Sequence, residues 1–251
     1  MQFKKFVVCA CAAAACGLAA SSSFARDILR VGTEPTFAPF EFLDTDTKEF
    51  SGFDMDLIRA VGTKAGYDVK ILNMGFDALI PAVMTGTIDV IAAGVSITPE
   101  RASRVDFTTP YYVSGVSMLI HKADAGKYKT FADLKGGKIA VQIGNTGASK
   151  AKAVPGAQVS AFNTTSEAFM DLLSKNADAV FLDRPVLAYY LKNQEKAAKV
   201  LTIPPYIDDA ENYGFAVKKG NKVLLEKLNK AYADLKASGE VEKIYKKWFQ
   251  E

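Results

Sequence analysis

Apolar and polar positions alternate along this chain in a way that predicts strands and helices in regular succession. Residues 28–32 are apolar at every second position, which predicts a strand. Residues 57–65 carry apolar side chains along one helical face, after Asp54, which is suited to cap that helix. Further apolar runs predict a strand at 69–72, a helix at 76–84 and a strand at 90–93. Strands that alternate with helices are typical of a mostly parallel sheet.

The same succession begins again after Gly115. Strands are predicted at 139–142 and 179–182, and one helix is predicted to begin at Ala148. Thr164 and Glu167 have the spacing of a capping box at the start of another helix. A strand at 213–217 and helices at 223–235 and 240–249 complete the pattern. The fold class is therefore α/β, with a second round of strands and helices after the first.

The first 25 residues have the pattern of a secretory signal peptide. Two lysines are followed by an apolar stretch and then by Ser23-Phe24-Ala25, a small-x-small triplet after which cleavage is expected. Two alternatives remain: a buried N-terminal helix, or a lipoprotein leader with a lipid on Cys16, although the usual leucine before that cysteine is missing. The three cysteines, Cys9, Cys11 and Cys16, all lie in this leader.

Composition excludes several classes of function. The net charge is +3, and two of these charges, Lys4 and Lys5, belong to the leader, so the remainder carries about +1. A charge this close to zero gives no electrostatic reason to expect binding to nucleic acid or to an anionic membrane surface. Without cysteines in the mature chain, disulfides and thiol catalysis are excluded, and the single histidine, His121, is expected to be exposed rather than part of a metal site. We expect no cofactor and no metal.

Two short segments carry the candidate chemistry, and each follows an apolar strand. The segment 94–101 ends in Arg101, whose planar guanidinium matches a carboxylate, and the segment 181–185 places Asp183 at a strand end. Ligands gather beyond the carboxyl ends of parallel strands, so a cleft between the two would hold both charged groups of a free amino acid. Taken alone, however, Arg101 could be a surface residue and Asp183 a helix cap.

One segment indicates a family more specifically than these two. It reads Gly52-Phe53-Asp54-Met55-Asp56-Leu57-Ile58-Arg59-Ala60-Val61-Gly62-Thr63-Lys64-Ala65. It resembles the signature of bacterial extracellular solute-binding proteins of family 3, the polar amino-acid receptors of ABC importers. Segments 94–101 and 245–249 are also typical of that family, and the similarity extends from Gly32 to Phe249.

The resemblance implies a type II periplasmic-binding fold of two lobes that close on the ligand. Lobe 1 would contain residues 26–110 and 214–251, and lobe 2 residues 116–208. The hinge would lie near 111–115 and 209–213. The family also implies a periplasmic monomer that hands its ligand to an inner-membrane ABC permease.

The resemblance also implies a set of ligand contacts. Arg101, Ser96 and the backbone at Gly94 would hold the carboxylate from lobe 1, with Thr146 and Gly147 contributing from lobe 2. Asp183 would hold the ammonium group. Four further residues would surround the ligand side chain, namely Phe37, Phe76, Glu34 and Gln142.

The identity of the side chain depends on Glu34 and Gln142. The glutamine-binding members look most similar, so glutamine is placed ahead of arginine and lysine. Those members, however, tend to have a lysine near position 142 and a histidine before the aspartate, where this chain has Gln142 and Leu182. An acidic ligand is disfavoured because it would face Glu34. The chain is expected not to be an enzyme; the alternatives are a cyclohexadienyl or arogenate dehydratase on the same fold and a sensor ectodomain.

Overall fold

The computed structural model describes residues 26–250, so the predicted signal peptide, its cleavage site and Cys16 lie outside the described residues. The strands in chain order are β1 (Ile28–Thr33), β2 (Thr36–Phe37), β3 (Glu41–Leu43), β4 (Phe50–Ser51), β5 (Asp68–Asn73), β6 (Val90–Ile91), β7 (Val105–Phe107), β8 (Tyr112–His121), β9 (Lys138–Gln142), β10 (Gln158–Phe162), β11 (Ala179–Asp183), β12 (Leu201–Thr202), β13 (Ala210–Tyr213) and β14 (Ala216–Lys218). The helices are α1 (Phe53–Lys64), α2 (Phe76–Thr85), α3 (Pro99–Arg104), α4 (Thr146–Ala153), α5 (Thr165–Leu173), α6 (Arg184–Asn193), α7 (Glu195–Val200), α8 (Lys222–Ala237) and α9 (Glu240–Phe249).

Two mixed sheets organise the chain into two lobes. The sheet of lobe 1 has the order β5-β1-β6-β14-β7, in which β1 runs parallel to β5 and β6 while β14 is antiparallel to β6 and β7. The sheet of lobe 2 has the order β10-β9-β11-β8-β12, with β9 parallel to β10 and β11. A small sheet, β2-β3-β4, lies in the first part of the chain. The fold is therefore α/β and two-lobed, as expected from the sequence.

The chain passes between the lobes twice, along two paired segments. Strand β13 runs antiparallel to the first half of β8, with Tyr213 opposite Tyr112 and Ala210 opposite Gly115. Beyond this pair, β8 continues into the sheet of lobe 2, and β14 enters the sheet of lobe 1. The predicted hinge ranges fall on these segments. Their movement as a hinge, and the lobe boundaries given above, stay predictions.

The sequence pattern was wrong about the cap of α1. Its N-cap residue is Gly52, whose φ of 126° favours glycine, and a Cβ there would lie 2.2 Å from the carbonyl oxygen of Phe40. Asp54 makes no capping bond, because its carboxylate lies in the protein interior, where it accepts hydrogen bonds from distant parts of the chain. Helix α1 begins there because its apolar face, including Leu57 and Val61, is fully buried in the core of lobe 1.

Three further predictions differ from the structure. The strand expected at 213–217 is two strands, separated where Gly214 packs closely against the side chain of Ile97. Helix α4 begins two residues earlier than expected, because the side chain of Asn145 caps it by accepting the amide N–H of Ala148 at 2.8 Å. His121 is half-buried rather than exposed, with Nε2 2.8 Å from the carbonyl oxygen of Leu172.

Within residues 26–250, no helix is long and apolar enough to cross a membrane. The same part of the chain contains no group of three or more histidine, cysteine, aspartate or glutamate side chains that could hold a metal ion.

Candidate ligand-binding site

A small enclosed cavity lies between the two lobes, and eight of the ten predicted contact residues line it. Its volume is about 10 Å³, which is room for about one water molecule. An amino acid is much larger than this volume, so the cavity as it stands has no room for one. The lining residues are Phe37, Phe76, Gly94, Ser96, Arg101, Gln142, Asn145, Thr146 and Asp183.

Arg101 is held by a well-capped helix at the edge of this cavity. The hydroxyl of Thr98 accepts the amide N–H of Arg101 at 3.2 Å, and Pro99 fits the first position of α3, where no amide hydrogen is needed. The guanidinium donates to the carbonyl oxygen of Ser96 at 2.9 Å and, across the cleft, to that of Gly144 at 3.0 Å. A ligand carboxylate offers stronger acceptors than these carbonyls.

Arg101 stays protonated, and therefore positively charged, in these surroundings. Burial lowers the pKa of Arg101, while the carboxylates of Asp183 and Glu211 act in the opposite direction. A guanidinium stays charged under such conditions. Its central carbon lies 5.4 Å from the ring centroid of Phe76, a distance at which ring and cation attract each other. The cavity therefore has one fixed positive charge beside an aromatic wall.

Asp183 is the last residue of β11 and is buried. It occupies the N-cap position of α6 but makes no capping bond, so its carboxylate is free for other partners. The hydroxyl groups of Ser114, at 2.9 Å, and Tyr213 both donate to Oδ1. Burial raises the pKa of Asp183 to about 6, although these two hydrogen bonds work against that rise. The group is mostly ionised at neutral pH and can pair with an ammonium ion.

Glu34 and Gln142 form a polar contact between the lobes. Gln142 Nε2 donates to Glu34 Oε2 at 2.7 Å, and the hydroxyl of Thr36 donates to the same oxygen at 2.8 Å. Glu34 itself does not line the cavity, but its partner Gln142 does. Burial raises the pKa of Glu34, and no lysine or arginine within residues 26–250 forms an ion pair with it. The carboxylate is desolvated without a cation to balance it.

The segment before α4 differs in detail from the prediction. Thr146 lines the cavity, and its hydroxyl donates to Glu211 Oε2 at 2.8 Å. Gly147 does not line it: a Cβ at Gly147 would lie 2.5 Å from the carbonyl oxygen of Phe181, so this glycine lets α4 pack closely on β11. Sequence reasoning missed Asn145, although an asparagine just before a helix is a recognisable cap.

Two buried acids lie behind the cavity, and one of them, Asp54, holds the backbone at Gly94. Asp54 Oδ2 accepts the amide N–H of Gly94 at 2.9 Å and the hydroxyl of Tyr111 at 2.5 Å. Burial raises the pKa of Asp54 to about 7 and that of the neighbouring Glu41 well above its usual range. No sequence signal indicated this role, because both residues lie outside the segments predicted to meet the ligand.

Two larger depressions adjoin the lobes. The cleft mouth, about 490 Å³, is lined by α2, α3 and α4 and shares Phe76, Arg101, Asn145 and Thr146 with the cavity, so the two adjoin each other. The outer groove, about 620 Å³, shares no residue with the cavity. Its walls are Phe42 and Leu43 on lobe 1 and Phe169, Tyr189 and Tyr190 on lobe 2.

Two lobes with mixed sheets, joined by a pair of crossing strands around a polar cavity, define the type II class of two-lobed binding proteins. Comparison with known proteins makes the assignment specific. The chain belongs to the bacterial extracellular solute-binding proteins, family 3, whose family model matches residues 29–251. The family is extracellular, which implies a periplasmic location.

Individual relatives are similar over most of their length. ABC transporter arginine-binding protein 1 of Escherichia coli (strain K12) is 37% identical over 90% of this chain and 92% of its own. A probable histidine-binding protein of Neisseria gonorrhoeae is 31% identical over 99% of this chain and 97% of its own. These named relatives are binding proteins rather than enzymes, and this chain is likewise a binding protein.

Solved structures agree with this classification. An ancestral arginine-binding protein bound to arginine has a TM-score of 0.84 and 43% identity, covering 89% of this chain and 99% of its own. An ancestral amino-acid-binding protein described as a precursor of cyclohexadienyl dehydratase has a TM-score of 0.81 and 39% identity, covering 88% of this chain and 95% of its own.

Proposed function

We propose that the cleft captures a cationic L-amino acid, with arginine placed first, and delivers it to the permease of an ABC importer. The observation that carries this proposal is the buried carboxylate of Glu34, next to a cavity that also contains Arg101 and Asp183. These three groups match the three charges of arginine. Relatives named as ABC transporter components imply the permease partner.

In this assignment the α-carboxylate of the ligand replaces the two backbone carbonyl oxygens as the acceptor for Arg101. Ser96, Gly94 and Thr146 add further contacts to the same carboxylate. Asp183 receives the α-ammonium group. Phe37 and Phe76 enclose the ligand side chain, and a guanidinium or ammonium at its end reaches Glu34 and Gln142. Binding energy gained only when both lobes contact the ligand favours the closed arrangement.

Arginine is placed ahead of glutamine for an electrostatic reason. Burying a carboxylate without a cation is unfavourable, and a ligand guanidinium would remove that cost while offering two parallel hydrogen bonds. A glutamine amide would offer hydrogen bonds without charge. The names of the relatives support the same order, since several are arginine-binding proteins. Glutamine, which the sequence placed first, is the competing ligand in the test.

The test is titration calorimetry of the chain from residue 26 onward, stripped of bound ligand by unfolding and refolding, with arginine, lysine and glutamine. Arginine should bind most tightly. Glu34→Gln keeps the shape but removes the charge, so arginine affinity should fall by about 30-fold or more, whereas glutamine affinity should change little. Glu49→Gln, an exposed glutamate, is the matched control.

Tighter binding of glutamine than of arginine would reject the choice of ligand. A Glu34→Gln protein that keeps its preference for arginine would reject the role of this carboxylate.

A further inference from the structure

Tyr213 contacts both halves of the candidate site. Through its backbone it forms a β-bridge with Ser96, and the flanking amides strengthen that pairing: Ile97 N–H donates to Asn212 at 2.7 Å and Gly214 N–H donates to Val95 at 3.2 Å. These bonds fix the segment of lobe 1 that contains Ser96. Through its side-chain hydroxyl, Tyr213 donates to Asp183 in lobe 2.

The two donors to Asp183 come from the two crossing strands. Ser114 lies on β8 and Tyr213 on β13, and these strands pair antiparallel in this stretch. Both hydroxyls donate to the same oxygen, Oδ1, while no hydrogen bond to Oδ2 is formed within residues 26–250. The ring of Tyr213 is fully buried and lies between Tyr112, stacked at 5.7 Å, and Phe40, edge-on at 5.2 Å. The hydroxyl therefore has little freedom to move away from the carboxylate.

We propose that Tyr213, together with Ser114, is a positioning residue: it fixes the Asp183 carboxylate for the ligand ammonium group and thereby ties ammonium recognition to the pairing of the crossing strands. The inference rests on the proposed function, because it takes Asp183 as the ammonium acceptor. With Oδ1 occupied by two donors, Oδ2 is the oxygen left to the ligand.

The arrangement has two physical consequences. Hydroxyl donors stabilise the charged form of a buried carboxylate, so they keep Asp183 ionised at a pH where burial alone would protonate it. They also depend on the crossing strands staying in register, since Ser114 and Tyr213 lie on different strands. A change in strand pairing during lobe movement would alter the strength of the ammonium site.

Other titratable groups lie around Asp183 on several elements. Arg101 on α3 favours its ionised form, whereas Glu211 on β13 opposes it. Glu41 on β3 also interacts with Asp183, as does Tyr112 on β8. None of these groups is changed when the Tyr213 hydroxyl is removed. The effect of that removal on the pH dependence of binding therefore reports the hydroxyl itself.

The experiment measures the affinity of Tyr213→Phe for L-arginine, and in parallel for L-glutamine, between pH 5 and pH 9. Losing a hydrogen bond to a charged group raises the pKa of Asp183, so the acid-side loss of binding should move upward by about one pH unit. At pH 6 the affinity should be about fivefold below the unchanged protein, because the ionised fraction of Asp183 falls from about one half to about one eleventh, and above pH 8 the difference should narrow. Ser114→Ala should shift the profile in the same direction.

Tyr112→Phe is the matched control, because it removes a neighbouring hydroxyl that makes no hydrogen bond to Asp183. Its profile should be unchanged. An arginine analogue without the α-ammonium group should bind equally to the Tyr213→Phe and unchanged proteins. If Tyr213→Phe fails to fold, Ser114→Ala decides the question by the same profile.

Asp183→Asn separates the two proposals. If Asp183→Asn binds arginine or glutamine as well as the unchanged protein does, the ammonium role of Asp183 fails and the proposed function loses that contact. If Asp183→Asn loses binding while Tyr213→Phe and Ser114→Ala keep the unchanged pH profile, only the positioning role is overturned.

Discussion

At the residue scale, Gly147 shows how one missing methyl group sets the position of a helix. The nearest obstacle to a Cβ is a backbone oxygen of β11, at 2.5 Å, which cannot rotate out of the way. The neighbouring Thr146 lines the cavity. The glycine therefore contributes to the site through the packing of α4, without contacting the cavity.

Gly147→Ala should push α4 away from β11 and destabilise the protein. Overpacking of this kind typically costs about 1–3 kcal/mol, which corresponds to a fall in melting temperature of roughly 3–10 °C for a protein of this size. Ligand affinity should fall as well, because Thr146 moves with the helix. Ser149→Ala, on the exposed face of α4, should leave both quantities unchanged. A Gly147→Ala melting temperature within 1 °C of the unchanged protein would contradict this packing role.

Single residues also show where sequence reasoning succeeds. Arg101 and Asp183 follow apolar strands of two different sheets, and ligands gather beyond the carboxyl ends of such strands, so sequence could place both residues at the cavity. The positions of Asp54 and Tyr213 could not, because each depends on partners far away in sequence: Asp54 bonds to Gly94 and Tyr111, which lie 40 and 57 residues away, and Tyr213 bonds to Asp183, 30 residues away. Local pattern carries no information about such pairings.

At the element scale, the six-residue helix α3 is short enough for its cap to control the position of Arg101. Thr98 accepts the amide N–H of Arg101 itself, so the cap and the guanidinium are parts of one turn. A helix this short has few hydrogen bonds of its own, and a side-chain cap is a large share of them.

Thr98→Ala should therefore weaken binding as well as stability. Loss of a cap costs about 0.5–2 kcal/mol of stability, and the loosened turn should lower ligand affinity several-fold in calorimetry. Asn221→Ala removes the cap of α8, far along the chain, and should cost similar stability without changing affinity. Equal affinities for the two variants would show that α3 keeps its geometry without the cap.

Elements were easier to predict than their connections. The strands β1, β5 and β9 and the helices α2 and α9 lie within one residue of the ranges that their apolar runs predict. The break between β13 and β14 was missed, since the apolar run continues through Gly214 while the chain changes from one sheet to another. The continuation of β8 beyond the predicted hinge range 111–115 was also missed, because this one strand serves both the crossing pair and the sheet of lobe 2.

At the scale of the whole molecule, hydrogen bonds across the cleft hold the lobes together. Thr165 of α5 bonds to Thr36, Gln142 to Glu34, and Arg101 to Gly144. Two of these bonds use side chains assigned to the ligand. In the proposed function, ligand entry competes with the contacts that close the cleft, so the affinity that calorimetry would measure includes the free energy of breaking them.

Four buried carboxyl groups make stability depend on pH. Burial raises the pKa of Glu34, Glu41, Asp54 and Asp183, with Asp54 at about 7 and Asp183 at about 6. In the unfolded chain these groups lose their protons near pH 4, so between about pH 4 and pH 7 the folded protein holds more protons. Stability must then fall as the pH rises through this window.

The ligand-free protein should thus melt at a higher temperature at pH 5 than at pH 8. Asp54 alone accounts for up to about 3 kcal/mol of this difference, because its pKa of about 7 lies two units above pH 5. Asp54→Asn should flatten the dependence measured by calorimetric melting, and Asp68→Asn, an exposed residue, should not. A melting temperature that rises from pH 5 to pH 8 would contradict the assignment. Ligand affinity should change in the opposite direction, because Asp183 must be ionised to bind an ammonium group.

The outer groove has a practical consequence for optical sensing. One wall, at Phe42 and Leu43, belongs to lobe 1, and the other, at Tyr189 and Met170, belongs to lobe 2, so the predicted movement of the lobes would change the width of the groove. None of its residues lines the cavity. No cysteine occurs after residue 16. A single thiol introduced at the exposed Met170 could carry a fluorescent dye whose colour or brightness reports amino-acid concentration, with the binding cavity left untouched.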